Sequence, residues 1–456
     1  MTITGRALAL ALAGIVPVLL WPTRGTVVTW GLLVVLVCVA DALLAASPRR
    51  VALSRRVPAS VRLGEPATSE LTVVNSAGRR LRALVRDAWP PSVAVTPDDG
   101  AAAGTAAVGA ASARTVTSAR HRVDLRAGDA TRLVTPLRPT RRGDRAAGAV
   151  TVRSFGPLGL AARQASLPVP ARLRVLPEFA SRRHLPSRLA RLRELDGRSA
   201  VQVRGEGTEF DSLREYVVGD DVRSIDWRAT ARRGDVVVRT WRPERDRRVL
   251  VVLDSGRTSA TRIGTGLGGT GAPRLDASIE AALLLAALAD RAGDRVQVLA
   301  YDRTVRARLA GASGPRLLPE LAEALAGVEP QLVETDWPGL VGQVRAHVPQ
   351  RALVVLLTAL DPAAVETGLL TVVDQLTGTH QVVVAGVADA EVAALAAGRD
   401  AGTVYDAAAA ARGDLEHAAV AAVLRRHGAE VLEALPDALP PAVADAYLAL
   451  KAAGRL

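Results

Sequence analysis

The sequence predicts a three-part protein of mixed class. An N-terminal transmembrane helical hairpin precedes a β-sandwich of immunoglobulin type and a C-terminal α/β domain with a mostly parallel sheet. Three observations predict this. Two apolar runs near the N-terminus are separated by one short polar link. Residues 51–176 alternate apolar and polar positions between turn signals. Beyond residue 248, short apolar runs alternate with longer amphipathic ones, the pattern of strands and helices in turn. At 456 residues the chain has room for two or three domains. Boundaries are expected at 1–48 for the hairpin, 49–178 for the sandwich, 179–248 for a connecting segment and 249–456 for the α/β domain.

Ala7 to Trp21 is apolar but short for a span. Thr26 to Ala46 has the roughly 20 residues that a bilayer requires. Pro22-Thr23-Arg24-Gly25 links them, with Trp21 and Trp30 expected as interfacial anchors and Asp41 close enough to the end to reach the interface. The first run also fits the apolar core of a cleaved signal peptide. Charge favours the hairpin: Arg49, Arg50, Arg55 and Arg56 follow the second run, whereas the link carries only Arg24. The positive-inside rule then places both chain ends and the bulk of the protein in the cytoplasm, as a multi-pass protein of the cell membrane. The single Cys38 excludes an intrachain disulfide.

Strands are expected in Leu71–Asn75, Leu81–Trp89, Thr131–Pro139 and Gly148–Phe155. Asp98–Ala119 is low in complexity and reads as a loop. Such a sandwich serves as a spacer or docking surface more often than as a catalyst. Phe179–Arg204 reads as an Arg-rich helical connection.

The most distinctive stretch is Arg204–Arg248. It holds 21 charged residues among 45, 11 of them Arg and 10 Asp or Glu, with Phe210, Tyr216, Trp227 and Trp241 interleaved. Near-balanced charge with aromatic anchors suits an ion-paired network, since the planar fork of Arg binds carboxylates in a bidentate way. The order of Gly205, Gly207, Glu209, Phe210, Leu213, Arg214, Glu215, Tyr216, Gly219, Asp220, Asp221, Arg223, Ile225, Asp226, Trp227 and Arg239 closely resembles the signature of a bacterial family catalogued as domain of unknown function 58. Arg141–Arg163 also resembles a family segment, with Gly156 where the family has Asp. Tyr447, Leu448 and Lys451 resemble its close. The thirteen signature positions taken as partner-binding or structural are Gly205, Gly207, Glu209, Phe210, Arg214, Tyr216, Gly219, Asp220, Asp221, Arg223, Asp226, Trp227 and Arg239.

In the last part Val249–Asp254, Arg295–Tyr301, Thr304–Ala310, Ala352–Thr358 and His380–Val387 read as strands. Arg274–Gly293, Pro362–Leu376 and Asp406–His427 read as helices. Sites in open α/β sheets lie beyond the carboxyl ends of the strands, which singles out Asp254 and the turn Thr358–Asp361. The resemblance implies a von Willebrand factor A-like domain here, in which an Asp-x-Ser-x-Ser turn, a Thr and an Asp hold a divalent cation. Hard oxygen ligands of that kind suit Mg²⁺. Asp254, Thr258, Thr358 and Asp361 are the candidates in this chain. Gly256 and Ala359 stand where a Ser and an Asp are expected, and Arg257 brings a positive charge, so a metal-free edge and no cofactor are expected.

A formal charge of +12 invites a nucleic-acid reading, yet the densest Arg region is nearly neutral and aromatics make up 3% of the chain, so none is expected. Gly264–Gly269 fits G-x-G-x-x-G but does not follow a strand directly, and a loop is the better reading. No P-loop sequence occurs, and the six His show no metal-ligand spacing. Asp220, Asp221 and Asp226 sit among Arg214, Arg223 and Arg228, which favours charged carboxylates over general acids. The expected function is therefore a membrane-anchored, non-enzymatic protein-interaction module. The resemblance implies an AAA+ ATPase of the MoxR type as partner, in assembly or maturation of other complexes. The alternatives are a hydrolase of envelope metabolism using the signature carboxylates, and a structural membrane scaffold without an ATPase partner.

Overall fold

The computed structural model describes residues 1–95, 118–202, 209–218, 220–242, 247–264, 271–362, 368–396 and 404–456. The loop expected at 98–119 lies almost wholly outside these residues, as does most of Gly264–Gly269. The chain divides into two compact units, Met1–Leu176 and Pro177–Leu456.

In the first unit two antiparallel sheets face one another. One has four strands in the order Val51–Arg56, Ala67–Asn75, Ala130–Pro139, Val93–Val95. The other has five, in the order Thr2–Ile3, Ala161–Leu167, Val150–Phe155, Leu81–Ala88, Ser118–Leu125. The period-2 pattern dictates the core: Leu71 and Val73 from one sheet meet Leu81, Ala83, Val85, Val150 and Val152 from the other. Arg55 crosses the core to Asp87 at 2.5 Å with both side chains fully buried, and its guanidinium lies 5.7 Å from the Trp89 ring. Arg55 is thus a core residue and not one of the basic residues flanking the apolar run, because its partner carboxylate is inside the sandwich.

The apolar N-terminus falls within this unit. Thr2–Ile3 adds a short strand to the edge of the five-stranded sheet through Ala161 and Ala162. Helices Gly5–Ala13 and Ile15–Leu20 follow, then the long helix Arg24–Leu44, capped by the Thr23 hydroxyl on the Thr26 N–H. One described run, Arg24–Arg50, is long and apolar enough to cross a membrane. The first arm is not: 16 residues from Gly5 to Leu20, broken after Ala13, reach about 24 Å at most against a hydrocarbon core of about 30 Å. A second span is therefore not supported. Two further expectations change. Trp30 is no free interfacial anchor, since a Cβ at Gly14 would meet its ring at 2.2 Å. Asp41 does not reach outward; it is 1% exposed and bound into the sandwich.

Three backbone N–H groups bind that carboxylate: Leu158 to Oδ1 at 2.7 Å, and Leu160 and Ala161 to Oδ2 at 2.8 and 2.9 Å. A Cβ at Gly156 would lie 2.3 Å from Asp41, so the bare backbone at this position admits the carboxylate.

The second unit is built on a six-stranded sheet. Taken in chain order its strands are Arg248–Asp254, Arg295–Tyr301, Val305–Leu309, Leu353–Leu357, Gln381–Val387 and Glu430–Ala434, arranged 3-2-1-4-5-6. All pairs are parallel except the second with the third. The central strand shows why the sheet is buried on both sides: Val249, Val251 and Leu253 enter one core, and Leu250 and Val252 the other. Helices Arg274–Arg291, Leu317–Ala326 and Leu439–Ala452 cover the first face; Trp337–His347, Leu370–Thr377 and Val404–Arg426 cover the second. The connecting helix Leu185–Gln202 also belongs here, with Leu192 buried in the first core and Arg188 paired to Asp445 at 2.8 Å. The closing residues act as a clasp. Tyr447 donates to Asp294 at 2.5 Å, and Lys451, the sole lysine, reaches Asp294 at 3.2 Å.

Candidate functional site

Strand order reverses between Arg248–Asp254 and Leu353–Leu357, whose following connections leave toward opposite faces. Such a switch point opens a crevice at the carboxyl ends of the two strands. Asp254 stands there, 3% exposed, met by the loop between helices Leu317–Ala326 and Trp337–His347 and by the loop after Leu357. Its Oδ1 accepts from the Gly256 N–H at 2.9 Å and the Thr335 hydroxyl at 2.6 Å. Its Oδ2 accepts from the Thr358 hydroxyl at 2.7 Å and the Thr258 hydroxyl at 3.3 Å. Three of the four candidates for a cation site, Asp254, Thr258 and Thr358, are thus brought together. Asp361 lies within electrostatic reach of Arg274 and His417.

Thr335 is the residue that sequence reasoning missed. A Cβ at Gly256 would meet its hydroxyl at 2.2 Å, so the small residue at 256 and the hydroxyl from the later loop are one arrangement. Arg257 pairs with Glu334 at 2.7 Å. Alongside, buried Asp302 accepts from Ser255 at 3.1 Å and pairs with Arg306 at 2.6 Å, which stiffens the same loop. Burial opposes its ionisation, but Arg306 and the N–H groups of Arg303 and Thr304 more than offset that and hold its pKa below the usual range.

This set closes on itself. Four donors occupy the Asp254 carboxylate, and the dimple beside it, lined by Val252, Tyr301, Trp337 and Leu356, leaves no space for a water molecule. Mg²⁺ keeps several waters and an octahedral shell. The residues as arranged do not fit a hydrated Mg²⁺ with an open ligand position. Among the described residues there is no group of three or more His, Cys, Asp and Glu side chains that could hold a metal. A shallow depression of about 450 Å³, lined by Arg303, Glu334, Thr335, Asp336 and Pro338, adjoins the crevice.

The signature forms a second constellation in the same unit. Strands Glu209–Glu215 and Val237–Arg242 pair antiparallel, with Phe210 opposite Trp241 and Leu213 opposite Arg239. Between them lies helix Trp227–Arg233, ended by Gly234 at φ +85°, the left-handed stop that glycine favours. Asp226 organises the turn. Its Oδ1 caps the helix through the N–H groups of Arg228 at 3.1 Å and Ala229 at 3.0 Å, and its Oδ2 binds the Arg239 guanidinium at 2.8 Å. Asp220 is gripped by both guanidinium nitrogens of Arg214 at 2.7 and 2.5 Å and by the Val217 N–H. Asp221 caps the following turn through the Arg223 N–H. The Ala229 N–H and Arg239 hold the Asp226 pKa down, and Arg214 with the Val217 N–H does the same for Asp220. Carboxylates held ionised, with their lone pairs engaged, are poor general acids or bases.

Trp227 behaves differently. It is 66% exposed, and Val217, Val218 and Val222 are exposed as well, Val218 at 94%. Arg223, Arg228, Arg232 and Arg233 beside it are exposed and have no carboxylate partner among the described residues. Tyr216 is half-buried. Glu209 and Phe210 are placed as backbone, and Gly205, Gly207 and Gly219 lie outside the described residues.

Residues 212–421 match the model of a family described as "Protein of unknown function DUF58". The match supports the resemblance of the signature to that family. The matched segment takes in the signature strands from Ser212 onward, Asp254, Thr335 and Thr358, and runs into helix Val404–Arg426. No curated protein matches the chain. Solved structures similar in part include the CARDB domain of the PF1109 protein from Pyrococcus furiosus, at 12% identity and TM-score 0.18 over 29% of this chain and 94% of that one. A cohesin module of a Clostridium perfringens family 33 glycoside hydrolase gives 10% identity and TM-score 0.18 over 29% and 97%. The ASH/PapD-like domain of human CEP192 gives 16% and 0.15 over 28% and 85%. Likeness at these scores says nothing about what the chain does.

Proposed function

We propose that the protein is a membrane-anchored, non-enzymatic interaction module whose partner is an AAA+ ATPase of the MoxR type, acting in assembly or maturation of other complexes. In this reading helix Arg24–Leu44 is the anchor, the first arm packs along it, the bulk of the chain is cytoplasmic, and the second unit is von Willebrand factor A-like. The 3-2-1-4-5-6 sheet with an antiparallel third strand supports that last assignment. One observation carries the functional reading. Asp220, Asp221 and Asp226 hold the signature's own shape, while Trp227, three valines and four arginines face solvent. Exposed Trp and Arg are the residue types that dominate binding energy at interfaces. Charge complementarity points to an acidic partner surface with an apolar pocket. The hydrolase alternative has less support, because Asp220 and Asp226 are consumed by Arg214 and Arg239.

The test is co-purification with the ATPase from solubilised membranes. Trp227→Ala should lower capture at least tenfold while leaving the thermal transition unchanged. Equal capture by a folded Trp227→Ala protein would count against this surface. Turnover by the purified chain alone would overturn the non-enzymatic reading.

A further inference from the structure

The outward face of the five-stranded sheet carries a charge pattern that the fold does not neutralise. Register places Arg86 directly opposite Arg120, Arg122 opposite Leu84, and Arg82 opposite Asp124. Like charges facing each other across antiparallel strands are destabilising. Arg86, Arg120 and Arg122 are exposed and have no partner among the described residues. The one acid on these strands' outer face, Asp124, is already held by Arg80 through bonds of 2.6 and 2.8 Å.

The same face runs to the base of the apolar helix. Arg82 reaches the Pro157 carbonyl at 3.4 Å, Arg6 the Leu158 carbonyl at 3.4 Å, and Arg79 the Leu43 carbonyl at 2.9 Å. Each guanidinium spends one N–H on a backbone oxygen and keeps the others. The carboxylate at this turn, Asp41, is saturated by three backbone N–H groups. Leu158 at its tip is 57% exposed. Three residues of helix separate Asp41 from Leu44, about 4.5 Å of rise, so the turn sits level with the end of the long helix.

We propose that Arg6, Arg79, Arg82, Arg86, Arg120 and Arg122 form a seat for anionic phospholipid headgroups, so that the sandwich lies against the leaflet. This rests on the membrane anchoring proposed above. A lipid surface is favoured over an acidic protein or a nucleic acid because the arginines continue from the helix base, where headgroups must lie if the helix spans. Each arginine close to an anionic surface strengthens attachment about fivefold, and salt weakens it.

The test uses the full chain in nanodiscs, either phosphatidylcholine alone or phosphatidylcholine mixed with phosphatidylglycerol. Arginine modification by phenylglyoxal is read residue by residue by mass spectrometry. Arg86, Arg120 and Arg122 should be protected several-fold in the anionic discs at low salt, and the protection should vanish at high salt. A variant with Arg86→Gln, Arg120→Gln and Arg122→Gln should fold, since it removes repulsion. It should weaken protection of Arg82 in the anionic discs. Equal modification in both discs overturns the proposal. So does protection in phosphatidylcholine discs by free inorganic phosphate, by an acidic protein fraction or by RNA to the level seen with phosphatidylglycerol; the last two would assign the face to those partners. Failure of the chain to enter either disc overturns the anchoring itself, a result distinct from loss of lipid preference.

Discussion

Replacing Asp41 by Ala should be among the most damaging single changes in the first unit. The substitution removes the acceptor of three N–H groups, and the bonds from Leu160 and Ala161 are buried. A buried donor left unsatisfied costs about 1–3 kcal/mol, so those two give a loss of about 2–6 kcal/mol. That is a large part of the roughly 5–15 kcal/mol that holds a typical domain. For a unit of this size each kcal/mol moves Tm by about 2–4 °C, which predicts a fall of about 4–24 °C. Gly156→Ala approaches the same contact from the other side, since its Cβ would sit 2.3 Å from the Asp41 carboxylate. The assay is thermal unfolding of the detergent-solubilised chain, followed by limited proteolysis in the segment 150–167. A shift under about 2 °C for Asp41→Ala would refute the reasoning, because two desolvated N–H groups cannot be that cheap. The double variant should lose less than the sum of the two singles, as expected when both act on one contact.

Three further outcomes follow from the second unit. Gly256→Ser should destabilise it by about 1–3 kcal/mol by pushing Thr335 off Asp254, and Thr335→Ala in the same chain should recover part of that loss in urea unfolding. Tyr447→Phe should cost about 1.5–3 kcal/mol, because the buried Asp294 carboxylate loses a hydrogen bond, with calorimetry as the check. Asp220 and Asp226 have folded pKa values below their unfolded ones. Their contribution is therefore present above about pH 4 and is lost as pH falls through the lower folded values. His417 behaves oppositely. Its bond to Glu433 raises its pKa, so its contribution is complete below about pH 6.5 and fades as pH rises through the folded value. Amide exchange in Leu213–Val238 and in Val404–Ala434 should separate the two effects.

The elements were legible from the sequence because their signals are local. Alternation in Leu81–Ala88, the buried run ending at Asp254 and the length of Thr26–Ala46 need no partner to be read. The signature order was legible for the same reason, but the cap that Asp226 makes on helix Trp227–Arg233 was not read. Asp254 and Thr358 could be named because a βα sheet puts its crevice at strand ends, and Thr258 because the family resemblance implies a hydroxyl in the turn after the first strand. The helix Leu439–Ala452 was not read as an element, although its Tyr447 and Lys451 were noticed.

Tertiary structure decided what each noticed residue does, because a carboxylate or a guanidinium is defined by what it meets. Asp41 reads as an interfacial charge until three N–H groups more than a hundred residues away claim it. Arg55 reads as a membrane flank until Asp87 pairs with it inside the core. Gly156 and Gly256 read as losses from a pattern, whereas each is the space another side chain occupies. Thr335 carries no signal of its own; only folding lays it against Asp254, 81 positions earlier. Periodicity along a chain is a property of neighbours, and contact across a fold is not.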